Sequence, residues 1–375
     1  MNTSDNDSQG FDFWTRNNKT FIISSRDIPS SCEGALATWH GNALFITLGC
    51  ILGVVALVGI IANILSIVVF SRMTHKSSTT FLIQMLAFVD SVFLLANILV
   101  FTLFNWFSAL GYLCSYLVIF SSVLPYLWGF LEIARDYAVW LVPVVTLERY
   151  VAIYYPLSMS KFCRITIAWK ILLGLFLYVI VFNVPSFLQY TKGSYNMDIK
   201  GKITAFSLSA LNTNPIYNTT YFIVDSVMNL LLPVVLVCFM NCRIIMVLKR
   251  ARTRTKKRGD FKRGQSEPDR GSFATMMLVT IAIVFVVCEL PKVVESCFVI
   301  WRKWERTVSV TQSSSKANDH WFIIFIISTL SQAFNSFINF FVYCLTGRRF
   351  RRVLRTTLSL SDCKRRLCPD KDSFH

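Results

Sequence analysis

Thr146-Leu147-Glu148-Arg149-Tyr150-Val151-Ala152 closes the third of seven long apolar stretches in a chain of 375 residues. Adjacent charges at a membrane boundary must be solvated or paired, so an acid–base pair kept at the end of a span implies a task for it. A span needs roughly 20 mostly apolar residues. Such stretches lie near 43–71, 80–106, 120–150, 165–189, 219–248, 272–301 and 319–346. Residues 91–131 carry no charge, so the boundary between the second and third spans rests on Trp106-Phe107-Ser108-Ala109-Leu110-Gly111 forming a turn; without that turn the count is six. Composition agrees with a membrane protein: 16% of residues are charged, against about a quarter in a soluble domain. The expected fold is all-α, a seven-transmembrane helix bundle.

The net charge of +17 raises nucleic acid as a partner, and its distribution argues against it. With the N-terminus outside, 25 of the 38 Lys and Arg fall in the inner loops and tail and 10 in the outer segments. That bias is the positive-inside pattern of a multi-pass protein of the plasma membrane. Asn-x-Ser/Thr acceptors at Asn2, Asn6, Asn18 and Asn218 all fall on the outer side and none in the inner loops, which supports the same orientation. Residues 1–42 therefore read as an extracellular, glycosylated N-terminus, 43–346 as the bundle, and 347–375 as an inner tail. Residues 1–40 hold no apolar core of signal-peptide length, so the first span is expected to act as the targeting signal.

Among the eleven cysteines, Cys50, Cys238, Cys288 and Cys344 read as small packing residues within spans. Cys32 and Cys114 both fall outside, where a disulfide between them would persist. After the seventh span, Phe350, Val353 and Leu354 recur at i, i+3 and i+4 among arginines, the pattern of a short amphipathic helix lying on the inner leaflet of the bilayer. Thr356, Thr357, Ser359 and Ser361 offer phosphorylation sites in the tail, and Cys363 and Cys368 offer palmitoylation sites. His40, His75, His320 and His375 are scattered at loops and ends, and acids are not assembled around a nucleophile; an enzyme is not expected. Nor is there an internal repeat of the kind that marks many transporters.

Glu148-Arg149-Tyr150, with Pro156-Leu157 after it, resembles the Asp/Glu-Arg-Tyr switch of rhodopsin-like G-protein-coupled receptors. Asn339-Phe340-Phe341-Val342-Tyr343 resembles their Asn-Pro-x-x-Tyr element, with Phe340 in place of the proline, so a weaker kink is expected there. Trp169 and Pro233 match further landmarks. The resemblance implies that Arg149, paired with Glu148 at rest, swings toward a heterotrimeric G protein when helix six moves outward about Pro291, with Tyr150, Asn339 and Tyr343 in the same switch. It also implies a sodium-and-water pocket around Asp90, Asn335, Ser336 and Asn339, near Asn63; Ala138 stands where a serine ligand is common. No other cofactor is implied.

The ligand is sought among charges placed within spans, which normally face the bundle interior. Glu132, Arg135 and Asp136 share one face of helix three, Asp225 and Asn229 one face of helix five, and Glu289, Lys292 and Glu295 one face of helix six. Internal pairs such as Glu132–Arg135 and Glu289–Lys292 are one reading. A cavity for a cationic ligand is the other, because five acids face two bases. Ala333 stands where opsins carry the retinal lysine, and Leu131 where monoamine receptors carry a carboxylate. What remains resembles invertebrate FMRFamide-like neuropeptide receptors, on Trp140 to Ile153, on Asn335 to Phe350, and on Asn241. That resemblance implies an extracellular peptide ending in Arg-Phe-amide, held by the acids with Trp140, Phe222 and Phe298. A chemosensory receptor of the same fold for small environmental molecules is the alternative. Leu124 and a cysteine-free loop near 190–218 remove the usual bond between that loop and helix three.

Overall fold

The computed structural model describes residues 43–73, 77–110, 123–155, 163–188, 190–197, 201–209, 214–257, 270–308 and 315–358. Along them run α1 (Phe45–Ser71), α2 (Ser78–Ala109), α3 (Leu124–Tyr154), α4 (Ile165–Leu188), a hairpin of β1 (Tyr190–Met197) and β2 (Gly201–Leu208), α5 (residues 215–257), α6 (Arg270–Val308), α7 (Ser315–Thr346) and α8 (Arg348–Leu358). The segment holding residue 106 stays helical to Ala109 and turns at Leu110, so helix replaces the first four residues of the expected turn.

Six of these helices are long and apolar enough to cross a membrane. The seventh, α3, has 31 residues, a length of about 46 Å at the rise of an α-helix. It fails only on composition, because it carries Glu132, Arg135, Asp136, Glu148 and Arg149. Its place in the bundle resolves that cost: α3 packs against α2, α4, α5 and α6, which shelter its charges from lipid. The hairpin is the departure from helix among the described residues. It pairs Tyr190 with Leu208 and Met197 with Gly201, antiparallel, between α4 and α5.

In lipid, apolar burial does not drive helices together; close packing and interhelical hydrogen bonds do. The interior is accordingly polar where it matters: Asn63, Asp90, Asp136, Asn183, Asn229, Glu289, Ser336 and Asn339 are buried, whereas Leu173, Val181, Phe239 and Val287 face outward. Close approach needs small residues. A Cβ at Gly129 of α3 would lie 2.6 Å from the Phe187 ring of α4, so only glycine permits that spacing.

Prolines shape the ends and bends. Pro215 sits in the first turn of α5, and Asn214 caps it, its Oδ1 accepting from the N–H groups of Ile216 (3.0 Å) and Tyr217 (3.3 Å). Pro233 has no N–H for the carbonyl one turn back, and the turn just before it, Ser226–Leu231, is wound as a π-helix. Pro291 interrupts the ladder of α6 likewise, and Ser331 of α7 donates to the Cys288 carbonyl at 2.8 Å. By contrast α7, with Phe340 in place of proline, runs unbroken for 32 residues. Just beyond it, α8 turns back. Phe350 is buried against Phe70, Phe340 and Tyr343, with Val353 and Leu354 alongside. Arg351 donates to the last carbonyls of α7, at Cys344 (2.9 Å) and Leu345 (2.6 Å). The stripe read from the sequence is the stripe that packs.

Candidate functional site

Asp136 is the centre of a buried polar cluster in the half of the bundle nearer the hairpin. It is fully buried, and each oxygen accepts two hydrogen bonds. Oδ1 takes Arg135 Nε (3.0 Å) and Nη2 (2.8 Å); Oδ2 takes Nδ2 of Asn183 from α4 (2.8 Å) and Nδ2 of Asn229 from α5 (3.1 Å). All four acceptor positions of the carboxylate are thereby used. Arg135 also pairs with Glu132 one turn earlier and reaches Asp225 at 3.8 Å. One guanidinium is thus ringed by three carboxylates from α3 and α5.

The π-turn in α5 carries Asn229 to the middle of this knot. Its Nδ2 donates to Asp225 (2.9 Å) as well as Asp136, and its Oδ1 accepts from Trp140 Nε1 (3.1 Å) and from the Tyr178 hydroxyl (3.2 Å). Three helices are tied through one amide. Asn183 and Tyr178 escaped the sequence reading. Asn183 carried a usable signal, an amide inside an otherwise apolar span, which is costly without a partner.

On α6 the pairing differs from the simplest expectation. Lys292 pairs with Glu295 (3.1 Å), which also accepts from Ser328 of α7, rather than with Glu289. Glu289 is 1% exposed and its Oε2 has no hydrogen-bond partner. It takes a bond from Gln332 of α7 and lies within electrostatic reach of Arg135 and Lys292. Two of the aromatic rings expected near a ligand already hold internal cations: Phe222 lies under Lys303 (4.7 Å) and Phe298 under Arg302 (5.9 Å). Asn218, the acceptor expected to carry a glycan, sits in the first turn of α5, where its Oδ1 accepts from Lys303 Nζ at 2.6 Å. Asn2, Asn6, Asn18, Cys32 and Cys114 lie outside the described residues.

Deeper in the bundle, Asp90 of α2 accepts from Ser336 Oγ (2.8 Å) and Asn339 Nδ2 (2.9 Å) of α7. Asn63 of α1 donates to the Ser336 carbonyl (2.9 Å), leaving its own Oδ1 buried without a partner; the buried Tyr343 hydroxyl is likewise unpartnered. Asn335 lies one turn before Asn339 and makes no hydrogen bond to Asp90.

At the opposite end Glu148 accepts from Ser78 Oγ at the start of α2. Glu148 and Arg149 are not ion-paired among the described residues, and Glu148 Oε2 and Arg149 Nε are both buried without hydrogen-bond partners. The expected resting pair is therefore not the one formed; the nearby serine takes the carboxylate instead. The thiol of Cys163, whose pKa is raised by burial, lies beside it. A cleft of about 630 Å³ opens among Ser78, Glu148, Arg149, Cys163 and Arg164. Tyr150 stacks on Tyr154 (4.6 Å), and Tyr154 donates to the Arg243 carbonyl of α5 (3.1 Å).

Residues 62–343 match the family described as 7 transmembrane receptor (rhodopsin family). The chain is 26% identical over 331 residues to the FMRFamide receptor of Drosophila melanogaster, covering 87% of this chain and 56% of that protein. It is 26% identical over 269 residues to somatostatin receptor type 1 of Rattus norvegicus, covering 70% and 62%. With neuromedin-U receptor 2 of Mus musculus the identity is 26% over 318 residues, covering 82% and 73%. The matched region spans less than two thirds of the length of the first two relatives.

Proposed function

The chain belongs to the rhodopsin family of seven-transmembrane receptors, and from that premise we propose that it answers an extracellular neuropeptide that is basic and amidated, of the Arg-Phe-amide type. One observation carries this reading: Glu132, Asp136 and Asp225 ring Arg135, Glu289 lies within reach of the Arg135 and Lys292 charges, and Glu295 pairs with Lys292. Among these described groups five acids meet two bases, and Glu289 keeps a buried acceptor oxygen without a partner. A cluster with surplus anions in low dielectric favours a cation over a neutral molecule of the same shape. The relatives named for peptides support a peptide as its carrier.

With the N-terminus outside, the hairpin end receives the peptide and the Arg149 end meets a heterotrimeric G protein. Binding favours the state in which α6 has moved outward about Pro291, because a ligand shifts populations only by differential affinity. That movement uncovers Arg149, Tyr150 and Tyr343. A sodium ion at Asp90 would share the carboxylate with Ser336 and Asn339, and Asn63 Oδ1 is the free buried acceptor that would join them. Arrestin would read the phosphorylated tail.

The test is calcium release in cells expressing the receptor with a promiscuous G protein, against a panel of amidated peptides. A saturable response to Arg-Phe-amide peptides, lost when arginine is replaced by citrulline, is the expected result. Silence across the panel with the receptor at the surface refutes the peptide reading and leaves the chemosensory one.

A further inference from the structure

We propose that Arg135 is a resident stand-in for the ligand's own cation: the peptide guanidinium displaces it from the three carboxylates of α3 and α5, and the displaced side chain moves to Glu289 on α6. This rests on the proposed reading of the ligand as a basic peptide and adds how its charge is read.

The geometry of the ring is that of a guanidinium receptor already filled. Arg135 is 15% exposed and is held by Glu132, Asp136 and Asp225, which are 18%, 0% and 23% exposed in their side chains. The fork of donors on a guanidinium suits this set of oxygens better than a point charge does. A ligand arginine entering from the hairpin end finds these oxygens occupied by the same chemical group. Two guanidinium groups do not share one ring without repulsion, so one must leave.

The destination is set by what else in the cluster is unsatisfied. Glu295 is taken by Lys292 and Ser328. Glu289 alone among the five acids has a buried oxygen without a partner, and it already feels the Arg135 charge. Transfer of Arg135 from Asp225 to Glu289 exchanges an α3–α5 contact for an α3–α6 contact, one helical turn or less from the Pro291 bend. Ligand charge is thereby converted into a change at the helix whose movement activates the receptor. Direct contact between Arg135 and ligand, the simpler role, predicts the opposite sign of effect.

The experiment measures binding and coupling of Phe-Met-Arg-Phe-amide and its citrulline analogue to surface-quantified receptor. Removing a competitor raises apparent affinity by the inverse of the fraction of time the site stood open, so with the ring open about a tenth of the time Arg135→Gln is expected to tighten the arginine peptide about tenfold. The citrulline peptide should not change, and the maximal response should fall, since nothing remains to reach Glu289. Glu289→Gln should lower the maximal response and also weaken the arginine peptide, because it removes the partner of the displaced side chain. In the Arg135→Gln background it should have no further effect on the maximal response. Arg135→Lys keeps the ring charged and folded; with a weaker hold it should tighten the arginine peptide by a smaller factor. Unchanged or weakened binding of the arginine peptide in both Arg135 variants overturns the proposal and leaves the peptide reading standing. Binding of neither peptide to the wild-type receptor overturns both.

Discussion

Replacing Asp136 by asparagine changes one oxygen into an amide and little else in shape, yet a large loss is expected. Oδ1 accepts two bonds from Arg135, and Oδ2 accepts one each from Asn183 and Asn229. Whichever way the new amide turns, its NH2 group faces two donors. Two hydrogen bonds are lost, two donors are left facing a third, and Arg135 loses its best-buried counter-ion. Interhelical hydrogen bonds in a membrane average only about 0.6 kcal/mol, so the bonds alone account for about 1 kcal/mol. Breaking a buried ion pair from one side costs about 3–5 kcal/mol in proteins generally. Since Arg135 keeps Glu132 and Asp225, the lower part of that range applies, and about 3 kcal/mol is expected in total. Glu132→Gln is the control. It removes one charge from a partly exposed pair and should cost less than about 1 kcal/mol. A chain this long responds at about 2 °C per kcal/mol, so detergent-solubilised Asp136→Asn should melt about 6 °C below wild type and Glu132→Gln within about 2 °C, as read by a thiol-reactive dye. Equal melting of the two variants would refute the idea that Asp136 is a fully used acceptor.

Gly129→Val should destabilise by about 1–3 kcal/mol, because its side chain meets three atoms of the Phe187 ring across the α3–α4 contact. A Cβ at Gly59 meets the end of Leu94 at 2.6 Å and the Phe337 Cα at 3.4 Å, so Gly59→Ala should cost less; melting temperatures of the two compare them directly. Phe350→Ala should remove about 3 kcal/mol of packing against Phe70, Phe340 and Tyr343, and an environment-sensitive label on α8 should report its release. Ser78→Ala frees Glu148 to pair with Arg149, so basal nucleotide exchange on the G protein should fall in membranes from expressing cells. An increase would show that the serine holds the receptor at rest instead.

The seven spans, the buried charges and the α8 stripe were legible in sequence because each depends on local composition and spacing. A run of apolar residues, or an apolar repeat of three and four, carries its meaning without neighbours. The π-turn of α5 was not legible: Pro233 read only as a landmark, and nothing local said that Asn229 would serve as donor and acceptor among three helices. Ser78 looked like an ordinary residue at a helix start. Its bond to Glu148 joins positions 70 apart in the chain, and nothing local encodes that.

The sequence by itself determined that this chain lies in a membrane and that its spans carry more acid than base, and the resemblance carried by Glu148-Arg149-Tyr150 pointed to the family that residues 62–343 match. Helical periodicity and the cost of charge in hydrocarbon are enough for the first two conclusions. Only the tertiary structure decided which acids are taken and which remain open. Spacing along α6 allows Lys292 to serve either Glu289 or Glu295, and the choice falls to Glu295 because the Ser328 hydroxyl of α7 completes that site. Likewise Arg135 was one base among charges until α3 and α5 came together and closed three carboxylates around it. Pairing in a low-dielectric interior is settled by which groups meet across helices, and that is a property of the packed bundle rather than of any one span.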